Sequence, residues 1–413
     1  MTNEIDQKDW GDEGQDPEDY EHTNWMARTT GVGTGVAKSL ILPTLAIVLA
    51  LAVGAVIIML TDVDAWRRFA DGEPLGAIGD MFVGVWEAYK ALFLGAFGSV
   101  RAISETLFTA SPLILTGLAV AIGFQAGLFN IGARGQMIIG GLAALWVGIH
   151  MNMPMILHIP VAILAAILGG GIWGGIAGLL KAKTGAHEVI TTIMLNFIAA
   201  FFALYILKTG VFQAEGSNLP LSAPVQESAR LPAIFGSQYR VSIALIIAIG
   251  AVFFVQWLLY RSSLGFEFRA AGANPIASRY AGMNVAVLYT LVMGISGALA
   301  GIAGATMTIG LAPYQVSPDF AGTIGFDAIA LALLGRSNPF GVLWSGLLFG
   351  ALIAGGRNMQ GAAGVPVDLV IVMQSLIIVF IAAPVLVKAV RSIHAVPGRC
   401  QGKAPSHGHF LFA

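Results

Sequence analysis

Residues 261–284 read RSSLGFEFRAAGANPIASRYAGMN and form a long polar interruption in the second half of an otherwise apolar chain. The apolar runs Val241–Tyr260 and Val285–Gly310 flank this stretch. A helix needs about 20 apolar residues to cross the hydrocarbon core of a bilayer, so the sequence predicts two membrane spans joined by a polar loop. Basic residues favour the cytoplasmic side of a membrane, and we therefore expect the loop to be cytoplasmic. Its arginines are Arg261, Arg269 and Arg279.

The middle of this loop carries the signals for a short helix. Asn274 is a good N-cap residue, and Pro275 suits the first helical position, where its missing N–H costs nothing. Residues 276–281 continue for about two turns, and Gly282 can adopt the left-handed conformation that ends a helix. A helix this short is not stable alone in water, so its flanking spans or a partner must hold it. It is either a helix that docks to a soluble protein or an ordinary capped loop between two spans, and these residues leave both interpretations open.

The same stretch contains the pattern G-x-N-P-x-A-x-x-x-G, followed by an apolar span. This pattern resembles the coupling loop of the membrane permeases of bacterial ABC importers, in particular the branched-chain amino acid, simple sugar and nucleoside group. The resemblance extends over residues 103–390 and implies that the loop docks into a separate ATPase subunit. The residues that would couple this chain to the ATPase are Arg269, Gly272, Asn274, Pro275, Ala277, Arg279 and Gly282.

Three further segments carry the same resemblance. They are GFQAGLFNIGARGQMIIGG at 123–141, HEVITTIMLN at 187–196 and GTIGFDAIALALLGRSNPFG at 322–341. The first two resemble the nucleoside and simple-sugar permeases more than those for branched-chain amino acids.

Composition predicts an all-α polytopic membrane protein. Apolar residues make up 56% of the 413 residues and charged residues 11%, whereas about a quarter of a soluble domain is charged. The apolar runs indicate about ten transmembrane helices, some of them short or broken. The predicted spans are Leu40–Leu60, Ile103–Gly123, Met137–Met151, Ile156–Leu180, His187–Leu207, Val241–Tyr260, Val285–Gly310, Phe326–Gly335, Phe340–Gly356 and Leu369–Val390.

The predicted domain organisation has four parts. Residues 1–38 form a disordered acidic cytoplasmic tail, and residues 39–102 hold the first span and an interfacial segment with an amphipathic helix. Residues 103–390 form the permease transmembrane domain with the coupling loop 261–284, and residues 391–413 form a second cytoplasmic tail. An even number of spans and the distribution of Lys and Arg predict that both termini are cytoplasmic. The resemblance implies that the protein lies in a bacterial plasma membrane.

Two spans carry ladders of glycines that indicate close helix packing. Gly170, Gly174 and Gly178 lie four residues apart, so they share one face of a helix. A second ladder consists of Gly294, Gly297, Gly301 and Gly304. Stripes of small residues let membrane helices approach each other closely.

Polar groups within spans are costly and usually face a cavity or a partner, so they are candidates for a solute path. Amides both donate and accept hydrogen bonds, which suits a hydroxylated neutral solute, and a Phe ring could stack on a sugar or a base. The alternative is structural, because an amide can cap a broken helix and a Phe can simply pack. The candidate path residues are Phe124, Gln125, Phe129, Asn130, Gln136, Asn196 and Asp327.

Catalytic and metal-binding motifs are absent from the sequence. It contains no G-x-x-x-x-G-K-[ST], no H-E-x-x-H and no G-x-S-x-G, and its seven His have no metal-ligand spacing. We therefore expect no enzymatic activity, no metal and no cofactor on this chain, and ATP would bind to a partner subunit.

The resemblance implies the permease subunit of an ATP-driven importer that translocates a nucleoside or a simple sugar. Its implied partners are an ABC ATPase, a second permease chain (identical or different), an extracytoplasmic solute-binding protein and the lipid bilayer, but no nucleic acid. The alternative is an ion-coupled secondary transporter that works alone, with Asp327 and Glu188 as proton relay groups. An intramembrane enzyme ranks last, since the chain lacks a paired acid and base.

Overall fold

The computed structural model describes residues 32–382, except 215, 217, 218, 237, 311 and 367. Apart from two isolated β-bridges, the regular elements of these residues are helices. The α-helices are α1 (Val32–Thr61), α2 (Val63–Ala70), α3 (Pro74–Phe97), α4 (Val100–Gln125), α5 (Ala133–His150), α6 (Met155–Thr184), α7 (Glu188–Ile206), α8 (Ile243–Arg261), α9 (Ser263–Ala273), α10 (Pro275–Tyr280), α11 (Val285–Thr308), α12 (Ile324–Leu334), α13 (Pro339–Ala363) and α14 (Asp368–Ala382). Helix α1 begins ahead of the predicted boundary at residue 39. Residues 1–31 and the predicted tail 391–413 lie outside the described residues.

Seven helices in the described part of the chain are long and apolar enough to cross a membrane. They coincide with seven of the predicted spans and are α1, α4, α6, α7, α8, α11 and α13. Two predicted spans fall on shorter apolar helices, α12 and α14. A third falls on α5, which has 18 residues. The chain is therefore a multi-pass α-helical membrane protein.

Helices α6 and α11 pack backbone against backbone along the two predicted glycine ladders. A Cβ added at Gly170 would overlap the carbonyl oxygen of Gly297, and one at Gly178 would lie 2.7 Å from the carbonyl oxygen of Tyr289. On the same helix, a Cβ at Gly175 would meet no described atom within 4 Å. Most of the two ladders thus form one seam in which side chains are excluded, as predicted, whereas Gly304 lies against Met137 of α5.

Helix α4 forms the centre of the bundle. Every residue from Ala110 to Gly123 is buried. Helix α13 packs along α4 through glycines, since a Cβ at Gly350 would lie 2.8 Å from the carbonyl oxygen of Thr106. The side of α13 away from α4 carries α3, where Asn358 donates its amide to the carbonyl oxygen of Ala91 at 2.7 Å.

The predicted amphipathic helix at residues 82–93 lies within the longer helix α3. The buried residues of α3 are alanines, among them Ala88 and Ala91, and its exposed face carries Trp86 and Phe93. Tyr89 donates its hydroxyl to the carbonyl oxygen of Leu51 on α1. Helix α3 therefore packs against α1 and α13, and its position relative to the membrane interface stays a prediction.

The loop between α7 and α8 is ordered by the loop between α11 and α12. Val225 N–H donates to the carbonyl oxygen of Tyr314 at 2.9 Å, and Leu231 N–H donates to that of Ile309 at 2.9 Å. These bonds close one end of the bundle, opposite the end that carries α9 and α10.

Candidate functional site

The polar loop 261–284 forms two helices, of which the sequence pattern predicted only the second. Ser262 caps α9 by accepting a hydrogen bond from Gly265 N–H at 3.0 Å. Helix α9 ends where Asn274 begins α10. The Ser262 cap was the local signal for α9, but it is a weaker one than an Asn-Pro pair.

Helix α10 begins at the predicted residue, Pro275, and ends at Tyr280, one residue before the predicted end. The side-chain oxygen of Asn274 accepts hydrogen bonds from Ile276 N–H and Ala277 N–H, both at 3.0 Å. Gly282 has a φ of +87° and ends the turn in the left-handed conformation. Ile276 is exposed, and 88% of Tyr280 is exposed. An apolar and an aromatic side chain therefore project from a capped helix that buries only Ser278.

Of the seven predicted coupling residues, five lie on the exposed surface of α10 and its two ends. They are Asn274, Pro275, Ala277, Arg279 and Gly282. Arg269 lies on α9 instead and is half-buried, with its guanidinium 5.1 Å from the centre of the Tyr260 ring.

Gly272 on α9 lies against the end of α4 and the segment that follows it, at residues 125–127. A Cβ at this position would overlap the carbonyl oxygen of Gln125 and lie 2.8 Å from Gly127 N. Gly127 itself has a φ of +70° and lies directly against Gly272. The base of α10 and the end of α4 are therefore in backbone contact, which requires glycine on both sides.

The break between α4 and α5, residues 126–132, is held by a buried amide cluster. Asn130 donates to Gln136 Oε1 at 3.0 Å and to Ser296 Oγ on α11 at 2.7 Å. Its oxygen accepts from Gly132 N–H at 2.9 Å and from Gln136 Nε2 at 3.2 Å. Asn130 and Gln136 are both buried. One of these bonds pairs the Gly132 N–H, a backbone group of the break that a membrane interior would otherwise leave unpaired.

Two more predicted path residues hold the same region together. Asn196 on α7 accepts from Gly135 N–H at 2.8 Å and donates to the carbonyl oxygen of Ile131 at 2.9 Å. Gln125 donates to the carbonyl oxygen of Ser337 at 3.1 Å. In this conformation the amides make the contacts of helix caps, the structural alternative that the sequence left open, and their role in a solute path stays a prediction.

The remaining predicted path residues form two separate groups. The rings of Phe124 and Phe129 lie 4.7 Å apart between centres, and Phe129 is exposed. Asp327 is on α12, where its carboxylate accepts a hydrogen bond from Thr323 Oγ1 at 2.9 Å. The structure thus brings Asn130 into contact with Gln136 and Phe124 with Phe129, but gives Asp327 no contact with either pair.

Sequence reasoning missed an ion pair at the start of α5. Arg134 Nη2 lies 2.7 Å from Asp319 Oδ1, and the Arg134 guanidinium lies 5.9 Å from the centre of the Phe326 ring. A Cβ at Gly325 would overlap the backbone of Arg134, so the first turns of α5 and α12 touch. Arg134 lies within the motif 123–141, but nothing local to it indicates a partner 185 residues away.

Metal ligands are not clustered in the part of the chain that the structure describes. No three His, Cys, Asp or Glu side chains there come close enough to hold a metal ion.

Comparison with known proteins gives consistent matches over most of the chain. A family model described as branched-chain amino acid transport system / permease component matches residues 102–382. The guanosine ABC transporter permease protein NupP of Bacillus subtilis (strain 168) is 38% identical, with 85% of this chain and 95% of that protein covered. The nucleoside ABC transporter permease protein NupB of Lactococcus lactis subsp. cremoris is 37% identical, with 76% and 88% covered. The glucose ABC transporter permease protein TsgB13 of Haloferax volcanii is 36% identical, with 82% and 86% covered. No solved structure gives a significant match.

Proposed function

Because this chain belongs to the family of branched-chain amino acid transport system permease components and is the permease subunit of an ABC importer, we propose that its solute is a nucleoside or a simple sugar. The relatives whose names mention guanosine, nucleosides and glucose support this choice, since each is at least 36% identical over three quarters or more of the chain. Branched-chain amino acids have less support, because none of these three relatives is named for them.

An ABC transporter permease works with an ATPase, and we propose that α10 is the docking element for it on the cytoplasmic side. The observation that carries this proposal is the backbone contact between Gly272 and residues Gln125–Gly127. A push on α10 would be transmitted through α9 to the end of α4 and to the break that Asn130 holds. No side chain lies between the two backbones, so little of the displacement would be absorbed.

The remaining expectations about assembly extend this proposal. An external solute-binding protein delivers the solute, and a second permease chain, identical or different, completes the path. About ten helices span the bilayer, counting α5, α12 and α14 with the seven long ones, and both termini are cytoplasmic. ATP is bound by the partner, with no cofactor on this chain.

The ion-coupled alternative has weaker support. It needs a carboxylate that can exchange protons, and Glu188 is instead paired with Lys181 Nζ at 2.9 Å across the turn between α6 and α7. This ion pair ties the first turn of α7 to the last turn of α6, which is a structural role. Asp327 accepts a hydrogen bond from Thr323 in the first turn of α12, a common position for an acidic residue near a helix N-terminus.

The test is ATP-dependent uptake of guanosine and of glucose by the complete transporter, reconstituted with its ATPase and binding protein. Ala277→Glu introduces a charge on the exposed surface of α10 and should abolish uptake while the protein still inserts and purifies normally. Thr184→Glu is the matched control, because Thr184 is exposed at the end of α6 and is not part of α10; it should keep most of the activity. Uptake by the purified chain alone, driven by an ion gradient, would contradict the proposal.

A further inference from the structure

The ion pair between Arg134 and Asp319 is exposed on the surface of the chain, and nothing in the coupling proposal uses it. Their side chains are 2.7 Å apart, and 78% of the Asp319 side chain and 27% of the Arg134 side chain are exposed. The Nε of Arg134 is buried and has no hydrogen-bond partner among the described residues. One donor of the guanidinium is therefore unused, and most of the carboxylate is accessible.

The depth of this pair follows from its neighbours. Gly135, next to Arg134, donates to Asn196, which lies near the middle of the apolar helix α7. Gln136 is bonded through Asn130 to Ser296, near the middle of the apolar helix α11. Two charged side chains thus lie at about the mid-level of two membrane spans. Such groups do not remain facing lipid, so a water-filled path or a partner chain must cover them.

From this position we infer that Arg134 and Asp319, together with Phe326, form a binding site for a neutral solute with neighbouring hydroxyl groups. This inference rests on the proposed function and names the part of this chain that recognises the solute. The Asp319 carboxylate can accept hydrogen bonds from two adjacent hydroxyls, and the Arg134 guanidinium can donate to a carbonyl or a ring oxygen. The exposed ring of Phe326, beside Arg134, offers an apolar face on which a sugar or a base can stack.

The packing of the helices does not require the ion pair. Gly325 already brings the first turn of α12 against the backbone and Cβ of Arg134, a contact that does not involve the guanidinium. By contrast, the Asn130 amide makes four hydrogen bonds within the protein, and Gln136 is buried and bonded to it. The exposed charged pair is therefore better placed than the buried amides to bind a solute in this conformation.

The test measures initial rates of ATP-driven uptake by the complete reconstituted transporter. Guanosine and glucose are each compared with their 2-deoxy counterparts, which lack one of the adjacent hydroxyls. Asp319→Asn should raise KM for the accepted solute about tenfold, as expected for the loss of a hydrogen bond to a charged group. It should also bring the KM ratio of the deoxy to the hydroxylated solute close to one. Asp80→Asn, which removes the exposed ion pair between Arg68 and Asp80, is the control and should change neither value.

A double variant separates solute binding from a structural role. Arg134→Asp combined with Asp319→Arg keeps an ion pair but reverses its direction, so it should have normal yield and thermal stability but a raised KM. Recovery of wild-type KM in this variant, or a wild-type KM and deoxy ratio in Asp319→Asn, would overturn the inference while leaving the proposed function intact. If the wild-type transporter took up neither guanosine nor glucose with ATP, the proposed function would fail, and this site with it.

Discussion

Two helices of this chain begin with the same dipeptide and differ in everything that follows it. Asn274-Pro275 opens α10, and Asn338-Pro339 opens α13. In both, the Asn side chain accepts hydrogen bonds from the two N–H groups that follow the proline. Yet α10 has six residues, nearly all exposed, while α13 has 25 residues and packs along the central helix α4.

The difference shows that capping chemistry decides where a helix starts, whereas packing decides how far it continues and whether it can move. Helix α13 is fixed by Gly346 and Gly350, which lie against Ile114 and Thr106 of α4. Helix α10 buries only Ser278, and the preceding helix α9 contacts the end of α4 through Gly272. A packed helix of the bundle and the proposed docking helix therefore share one start signal.

The largest effect is expected from breaking the packing of α13. Gly350→Leu would bring side-chain atoms into the backbone of α4, because even a Cβ there would lie 2.8 Å from the carbonyl oxygen of Thr106. Overpacking of this kind costs about 1–3 kcal/mol or more, so the yield of monodisperse protein in size-exclusion chromatography should fall several-fold. Gly361→Leu on the same helix is the control, since a Cβ at Gly361 would meet no described atom within 4 Å. Equal yields for the two variants would show that α13 is not fixed by this contact.

A smaller effect should distinguish the two caps. Asn338→Ala and Asn274→Ala each remove a cap worth about 1 kcal/mol. Because α13 packs along the central helix α4, losing its cap should destabilise the whole bundle. Asn338→Ala should therefore lower the melting temperature of the purified protein by about 2 °C. In α10 the loss is local, so Asn274→Ala should leave the melting temperature unchanged but reduce solute-stimulated ATP hydrolysis. If both substitutions shifted the melting temperature equally, α10 would be part of the cooperative bundle and not a separate docking element.

Features set by local chemistry could be predicted from the sequence. The ends of α10 follow from Asn274, Pro275 and Gly282, and the seam between α6 and α11 follows from the spacing of glycines. Seven spans follow from their length and hydropathy. The break at 126–132 lies between two predicted spans, where glycines and amides interrupt the apolar pattern.

Features that depend on distant partners could not be predicted. The motif containing Asn130 indicated a polar break, but its bond to Ser296 joins residues 166 positions apart. Arg134 and Asp319 are 185 positions apart, and neither residue alone can be distinguished from an ordinary charged residue of a loop. Helix α9 was missed because its only local start signal is one serine cap. Its few buried residues, such as Phe268, are covered by segments distant in sequence, which the local pattern does not indicate.

The central claim is that α10 contacts the ATPase, and site-directed photo-crosslinking tests it most directly. Cys400 is the single cysteine of the chain, so Cys400→Ser provides a background without thiols. In that background, Ala277→Cys is labelled with benzophenone maleimide, and Asn152→Cys, exposed at the opposite end of the bundle, is the control. The account predicts a covalent adduct with the ATPase from position 277 and none from position 152. An adduct from position 152 alone, or no adduct from position 277 in a transporter that is active in uptake, would contradict it.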